Sequence, residues 1–342
     1  MWIVPRLRND RLLACLRWAH VAHRFVLVAA TVWLFLAASV HADSFPMRPI
    51  RLIVPQAPGG TVDLTARLFA EQLKSTLNAT IVVENRPGAS GAIGCAFVAH
   101  AAPDGYTLLA ASTNTHTMLP HIQANVPYDA LRDFAPIANL VYTTNIIAVT
   151  PSLPVHTLAE LITYAHANPG KLNYASTGVG SSNHIDTELF KSLAHIDLVH
   201  IPYHGSMQAV EALATGEVQV ELTALGTALG QVEAGQLRAL AILSDQRSSL
   251  LPEVPTAAEA GLPEFKVKFW VGLVAPAGTP PEIISVLNRA LQRSLEAADV
   301  RTWIARRGLE PVGGSPLDFA EEIRADYAKW GRVIKHIGLS AR

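Results

Sequence analysis

The chain has 342 residues, half of them hydrophobic, with 27 Lys and Arg against 28 Asp and Glu and a formal net charge of −1. That balance excludes a nucleic-acid binder built on a basic face, and two cysteines exclude a disulfide framework. Core burial must supply the stability, and the length suits two medium α/β domains better than one.

Arg6, Arg8, Arg11, Arg17 and Arg24 precede residues 25–40, which carry no charge, and Val40-His41-Ala42 offers small residues where a signal peptidase needs them. This is the layout of a secretory signal peptide over residues 1–42, cleaved after Ala42, and it places the mature chain in a periplasm. The uncharged run is short for a membrane span. The segment's net charge is +4, so its removal leaves about −5 and takes Cys15 with it.

Arg51-Leu52-Ile53-Val54 reads as a short buried strand, after which Leu64, Leu68, Leu73 and Leu77 recur near helical spacing. Between them, Gly59-Gly60 forms a turn opening onto a helix start. Such a turn presents unpaired N–H groups at the positive end of the helix dipole, which suits a carboxylate or phosphate; an ordinary strand-to-helix turn reads the same way. A strand at 80–84, a helix at 89–100 and a strand at 106–111 follow, then a polar loop, Ser112-Thr113-Asn114-Thr115. Residues 137–149 read as one extended stretch ending at Pro151. Helices at 158–167, 182–193, 206–214 and 227–234 then alternate with strands at 172–176, 198–201, 218–222 and 237–243. Residues 267–275 are extended again, and two helices, 281–297 and 316–336, close the chain.

Two βαβ series joined by two extended segments point to an α/β fold of two lobes. The first combines residues 43–143 with 268–342, the second is 144–267, and the chain crosses near Asn145 and Trp270, which become hinge candidates. Trp270 reads equally as a core anchor. Ligands in open α/β sheets bind outside the carboxyl ends of the strands, so facing lobes share a cleft. The second lobe repeats the opening motif: Gly178, Gly180, Ser181, Ser182 and His184 run from a strand into a helix, a pattern that helix capping alone also explains. Ser112, Thr113 and Asn114 in one lobe and Tyr203 in the other occupy further loops on that cleft. Asp63 in a first helical turn complements the dipole, which favours capping over contact with an anion. Neither His116 with His121 nor His200 with His204 has carboxylate or cysteine partners at ligand spacing, so no metal or cofactor is expected. Ser181, Ser182 and His184 invite a hydrolase reading. There is no Gly-x-Ser-x-Gly elbow and no orienting acid, so no catalytic residue is assigned.

Several segments carry a specific resemblance: Arg48-Pro49-Ile50-Arg51-Leu52-Ile53-Val54-Pro55, Pro58-Gly59-Gly60, Asn85-Arg86-Pro87-Gly88-Ala89, Pro103-Asp104-Gly105-Tyr106, Pro127-Tyr128-Asp129, Glu188-Leu189-Phe190, Leu251-Pro252-Glu253-Val254-Pro255-Thr256 and Ala275-Pro276-Ala277-Gly278-Thr279-Pro280. Over residues 46–338 the chain resembles the extracytoplasmic substrate-binding proteins of tripartite tricarboxylate transporters, the Bug-type family. The resemblance implies a two-lobed fold of the type II periplasmic binding protein kind. It also implies a monomer that captures a small carboxylate, often a di- or tricarboxylate, for membrane permease subunits. A receptor that docks on a sensor kinase is the alternative within the same fold. By position it implicates Gly59, Gly60, Thr61 and Asp63 in the first lobe and Gly178, Gly180, Ser181, Ser182 and His184 in the second. His184 is as readily a packed helix-start residue as a ligand donor. The chain departs from the family pattern at Gln56, where an aromatic residue is usual, and at Thr61-Val62, usually richer in Gly and Ser or Thr. It departs again at His204, where Lys is common, and at Thr223-Ala224, where Asp-Asn is frequent. Loss of that Asp is expected to weaken recognition of a ligand amine or hydroxyl.

Overall fold

A computed structural model describes residues 45–339, and the fold is formed from Arg48 onward. The expected signal peptide and its cleavage after Ala42 lie outside the described residues.

β1 (Ile50–Val54) lies between two parallel neighbours, β2 (Ile81–Asn85) and β3 (Thr107–Ser112). A parallel strand covered on both faces reads as a continuous apolar run, as Leu52-Ile53-Val54 does. The crossover helix α1 (Thr61–Leu77) buries Val62, Ala66, Phe69, Ala70 and Leu73. Leu64 is instead exposed and Leu68 half-buried. Nine residues separate Leu64 from Leu73, about two and a half turns, so the two cannot share a face. α2 (Ala92–Ala99) follows β2 and buries the free Cys95, whose thiol burial pushes up to about 12.

The expected polar loop after β3 is instead a π-helical turn, Asn114–Met118, running into α3 (Leu119–Ile122). Ser112 at the end of β3, Thr113 before the turn and Thr115 within it are fully buried. The stretch read as one strand is two, β4 (Phe134–Thr143) and β5 (Asn145–Val149), in different sheets. Only Thr144 separates them, its N–H donating to the Gly308 carbonyl and its carbonyl accepting from the Leu225 N–H.

The second sheet grows from α4 (Leu158–Ala167), β6 (Asn173–Ser176), α5 (Ser182–Ala194), β7 (Val199–Pro202), α6 (Ser206–Thr215), β8 (Val220–Ala224), α7 (Leu225–Glu233) and β9 (Arg238–Ile242). Its order is β7-β6-β8-β5-β9, with β5 antiparallel to both neighbours. The chain returns through β10 (Phe269–Pro276), antiparallel between β3 and β4. After α8 (Pro281–Glu296) come two elements that the sequence did not reveal, α9 (Ala298–Ala305) and β11 (Leu309–Gly313). β11 contains Pro311, whose missing N–H an edge strand accommodates readily, and β11 is the edge of the order β11-β4-β10-β3-β1-β2. Two mixed α/β layers result, as the sequence leads one to expect.

α10 (Pro316–His336) starts on a reciprocal cap between Ser315 and Asp318. Its first half packs Phe319 and Ile323 beside Trp270, whereas Trp330 and Ile334 enter the second core among Ile147, Tyr174 and Phe265. Trp270 is fully buried. Its backbone N–H donates to Thr113 Oγ1 at 2.8 Å and its indole N–H to Asp326 at 3.0 Å, so it is a core anchor at the start of β10.

Candidate functional site

The loop after β1 turns at Gly59, whose φ of +87° a glycine adopts without strain, and Gly60 caps α1 with extended backbone and no side-chain bond. The first N–H groups of the helix are therefore left for a ligand. Gly60, Thr61 and Val62 line a cleft of about 970 Å³. Asp63 turns away from it. Its Oδ2 accepts from the Gly59 N–H at 2.9 Å and from Arg67 Nε at 3.0 Å, and its Oδ1 from Asn85 Nδ2 at 2.8 Å. Asn85 also donates to the Gln56 carbonyl at 3.0 Å. Asp63 thus clasps the loop from behind, and Gly59 stays behind the cleft wall with it.

Burial alone would raise the Asp63 pKa, but hydrogen bonds from Arg67, Gly59 and Asn85 outweigh it and hold the carboxyl below its ordinary value. A lowered folded pKa means stability that is present above about pH 3.9 and lost as pH falls through the folded value. Asp63→Asn is expected to cost about 2–3 kcal/mol at pH 7 and much less at pH 3, read by urea denaturation at both. An equal loss at the two pH values would contradict the clasp.

The partner loop bends through Gly178 and Gly180, with φ of +119° and +80°. Ser181 caps α5 by position only: its hydroxyl donates to the Gly178 carbonyl at 2.7 Å and makes no capping bond. Gly178, Ser181 and Ser182 line the cleft; Gly180 and His184 do not. The Gly180 N–H donates to His184 Nδ1 at 3.2 Å, and the ring stacks on His200 at 4.3 Å. Burial, with His200 alongside, pushes His184 down to about 4, so the ring is neutral and acts as an acceptor inside the wall. It bonds neither Ser181 nor Ser182.

Two more helices open on the cleft. α6 starts at Gly205-Ser206, facing α1 so closely that a Cβ on Gly60 would meet Ser206 Oγ at 3.6 Å. α7 contributes Thr227, next to Thr223 and Ala224. Gln56, Asn114 and Tyr203 line the cleft as expected; the hinge candidate Asn145, His204 and Phe269, the neighbour of Trp270, line it too. The Tyr203 hydroxyl is committed to Glu217 at 3.0 Å. Ser112 and Thr113 are corrected: both are buried behind Asn114, with Thr113 Oγ1 serving the Trp270 backbone.

Other contributors escaped the sequence reading as well. Ala89 and Ser90 line the cleft at positive φ, +46° and +54°, a strain of about 1–3 kcal/mol each. Ser90 Oγ donates to the Val179 carbonyl at 2.7 Å, joining the lobes, while Asn114 Nδ2 donates to the Ser90 carbonyl at 2.9 Å. The signal was there in Gly88-Ala89-Ser90-Gly91 after a strand, which reads as a helix entry. Another is Asp186, buried on the second turn of α5, which returns to the cleft a carboxylate absent at Thr223. Among the described residues, no Lys or Arg lines the cleft.

Behind Thr223, Glu221 is fully buried with no hydrogen-bond partner for either oxygen, and burial pushes it up to about 8 against the opposing pull of Thr223. A raised folded pKa in an acid means stability that is full below about pH 4.3 and declines as pH rises towards the folded value. Glu221→Met is expected to stabilise the chain by about 2–3 kcal/mol at pH 8 and far less at pH 4. A thermal-unfolding series across that range checks it, and a pH-independent gain would contradict it.

The histidines serve packing. His116 is buried between Phe134 and Trp270, His121 bonds the Tyr327 carbonyl at 2.9 Å, and His200 bonds Ser176 Oγ. No group of three metal-binding side chains occurs among the described residues, and no described helix is long and apolar enough to cross a membrane.

The same architecture occurs in proteins of known structure. A protein of R. palustris solved with adipate is 35% identical and superposes with a TM-score of 0.84, covering 86% of this chain and 99% of that one. MatC from Rhodopseudomonas palustris, solved with malate, is 34% identical with a TM-score of 0.80, covering 85% of this chain and all of the other. The BugT protein of Bordetella pertussis is 38% identical over 304 residues, 89% of this chain and 93% of BugT. The profile of the tripartite tricarboxylate transporter family receptors matches residues 65–339. With the family's two-lobed fold around a cleft ringed by helix N-termini, the chain belongs to the tripartite tricarboxylate transporter receptors, the family of the Bug proteins.

Proposed function

We propose that this chain is a non-catalytic periplasmic receptor, exported by cleavage after Ala42 and working as a monomer. It captures a small carboxylate for the permease subunits of a tripartite tricarboxylate transporter. One observation carries the reading: four helix N-termini, those of α1, α5, α6 and α7, open on a single cleft that no described Lys or Arg lines. Where α1 and α5 begin, no side chain caps the helix. Unpaired N–H groups at the positive ends of helix dipoles meet a carboxylate without a fixed counter-charge. The adipate and malate held by the two R. palustris relatives support the same class of ligand.

The lobes in this account are 43–143 with 268–342, and 144–267. The ligand touches α1 from one lobe and α5, α6 and α7 from the other, so it binds the closed arrangement more tightly than an open one and shifts the population towards it. The crossing at Thr144-Asn145 and the return ahead of Trp270 take up the motion. The closed surface is what the membrane subunits recognise.

The test mixes the mature chain with mono-, di- and tricarboxylates. At a hundredfold excess over Kd, a true ligand stabilises the chain by about 2.7 kcal/mol, read as a rise in melting temperature, and is recovered intact. Turnover of a panel member, or stabilisation by phosphate esters and by no carboxylate, would overturn the proposal.

A further inference from the structure

The donor groups of the cleft are matched by a set of unused acceptors. Asp186 is 1% exposed, lines the cleft, and its Oδ1 has no hydrogen-bond partner. The Asn114–Met118 turn packs against α5 from the other lobe, and Asn114 Oδ1 is also buried and unpartnered, while its amide nitrogen donates to the Ser90 carbonyl. Lys329 on α10 is the cation that acts on Asp186, and it forms no ion pair with it. Burial drives the Asp186 carboxyl well above its ordinary range, as expected of an acid lacking a cationic partner.

A ligand bearing only carboxylates brings only acceptors to this wall. It leaves Asn114 Oδ1 unpaired, and its negative charge favours the protonated form of Asp186. A hydroxyl has a single proton to donate and no charge. An ammonium has three donors and the missing positive charge, and can serve Asp186 and Asn114 together while its carboxylate lies on the helix N-termini.

We propose that Asp186, with Asn114, makes this cleft select a carboxylate that also carries an ammonium group over the plain dicarboxylate of the same length. The inference rests on the carboxylate-receptor reading and names its ligand class.

Calorimetric titration of the mature chain with three matched pairs tests it: aspartate and succinate, glutamate and glutarate, 2-aminoadipate and adipate, with malate as the hydroxyl probe. The amino member of the best-bound pair is expected to bind at least about tenfold more tightly. Asp186→Asn and Asp186→Ser are expected to bring that pair within about threefold, through weaker binding of the amino member. Succinate, glutarate, adipate or malate binding as tightly as its amino counterpart overturns the inference and leaves the receptor reading standing. So does a preference that survives both substitutions. If no carboxylate of either kind binds, the receptor reading fails and the inference falls with it. The wild-type comparison decides even where a variant fails to fold.

Discussion

Replacing Gly178 with valine is expected to abolish the ligand-induced rise in melting temperature while the chain still folds. The residue sits at a φ of +119°, and no atom lies within 4 Å of where its Cβ would be. The cost is therefore backbone strain, about 1–3 kcal/mol, and not a clash. Relaxing that strain moves the Gly178 carbonyl, which holds the Ser181 N–H at 3.1 Å and the Ser181 hydroxyl at 2.7 Å. Those bonds aim the first turn of α5 into the cleft. Their displacement removes one of the helix ends that a carboxylate requires, so the stabilisation of about 2.7 kcal/mol at a hundredfold excess over Kd disappears. Gly60→Val reaches the same end differently. Its φ suits any residue, but its side chain would occupy the gap to Ser206 where α1 meets α6. Full ligand stabilisation in both variants would refute the helix-end account.

Trp330→Ala is expected to destabilise the chain by about 3–5 kcal/mol, the cost of emptying a fully buried aromatic site. The indole belongs to α10, whose first half packs in the first core, yet it fills the second core beside Ile147, Tyr174 and Phe265. Its loss opens a cavity where the two lobes are tied by one helix. Trp330→Phe is expected to lose much less, because the indole Nε1 has no hydrogen-bond partner to give up. Urea midpoints for the pair check this. A loss below about 1 kcal/mol for the alanine variant would mean that the second core does not depend on α10.

What the sequence disclosed, it disclosed through local signals. Apolar runs marked β1 and β6, glycines with hydroxyl residues marked the turns into α1 and α5, and alternation marked the two α/β layers. It failed where the answer depended on a distant partner. β11 is a strand only because β4 offers it an edge, and Ser112-Thr113 is buried only because β10 lies over it. Asp63, Gly180 and His184 share loops with the lining residues, yet each spends its polar atoms holding the loop. Asp186 stayed hidden because an acid on the second turn of a helix ordinarily faces water. Its helix also meets the Asn114–Met118 turn of the other lobe, which no spacing within α5 announces.

We infer that the cleft meets a carboxylate with helix N-termini in place of cationic side chains. The measurement that tests it most directly is calorimetric titration of the mature chain with its best-stabilising carboxylate and with the primary amide of that same compound. The account predicts one site per chain for the acid and at least about a hundredfold weaker binding of the amide, which lacks the negative charge that the helix dipoles attract. Equal affinity for acid and amide would contradict it.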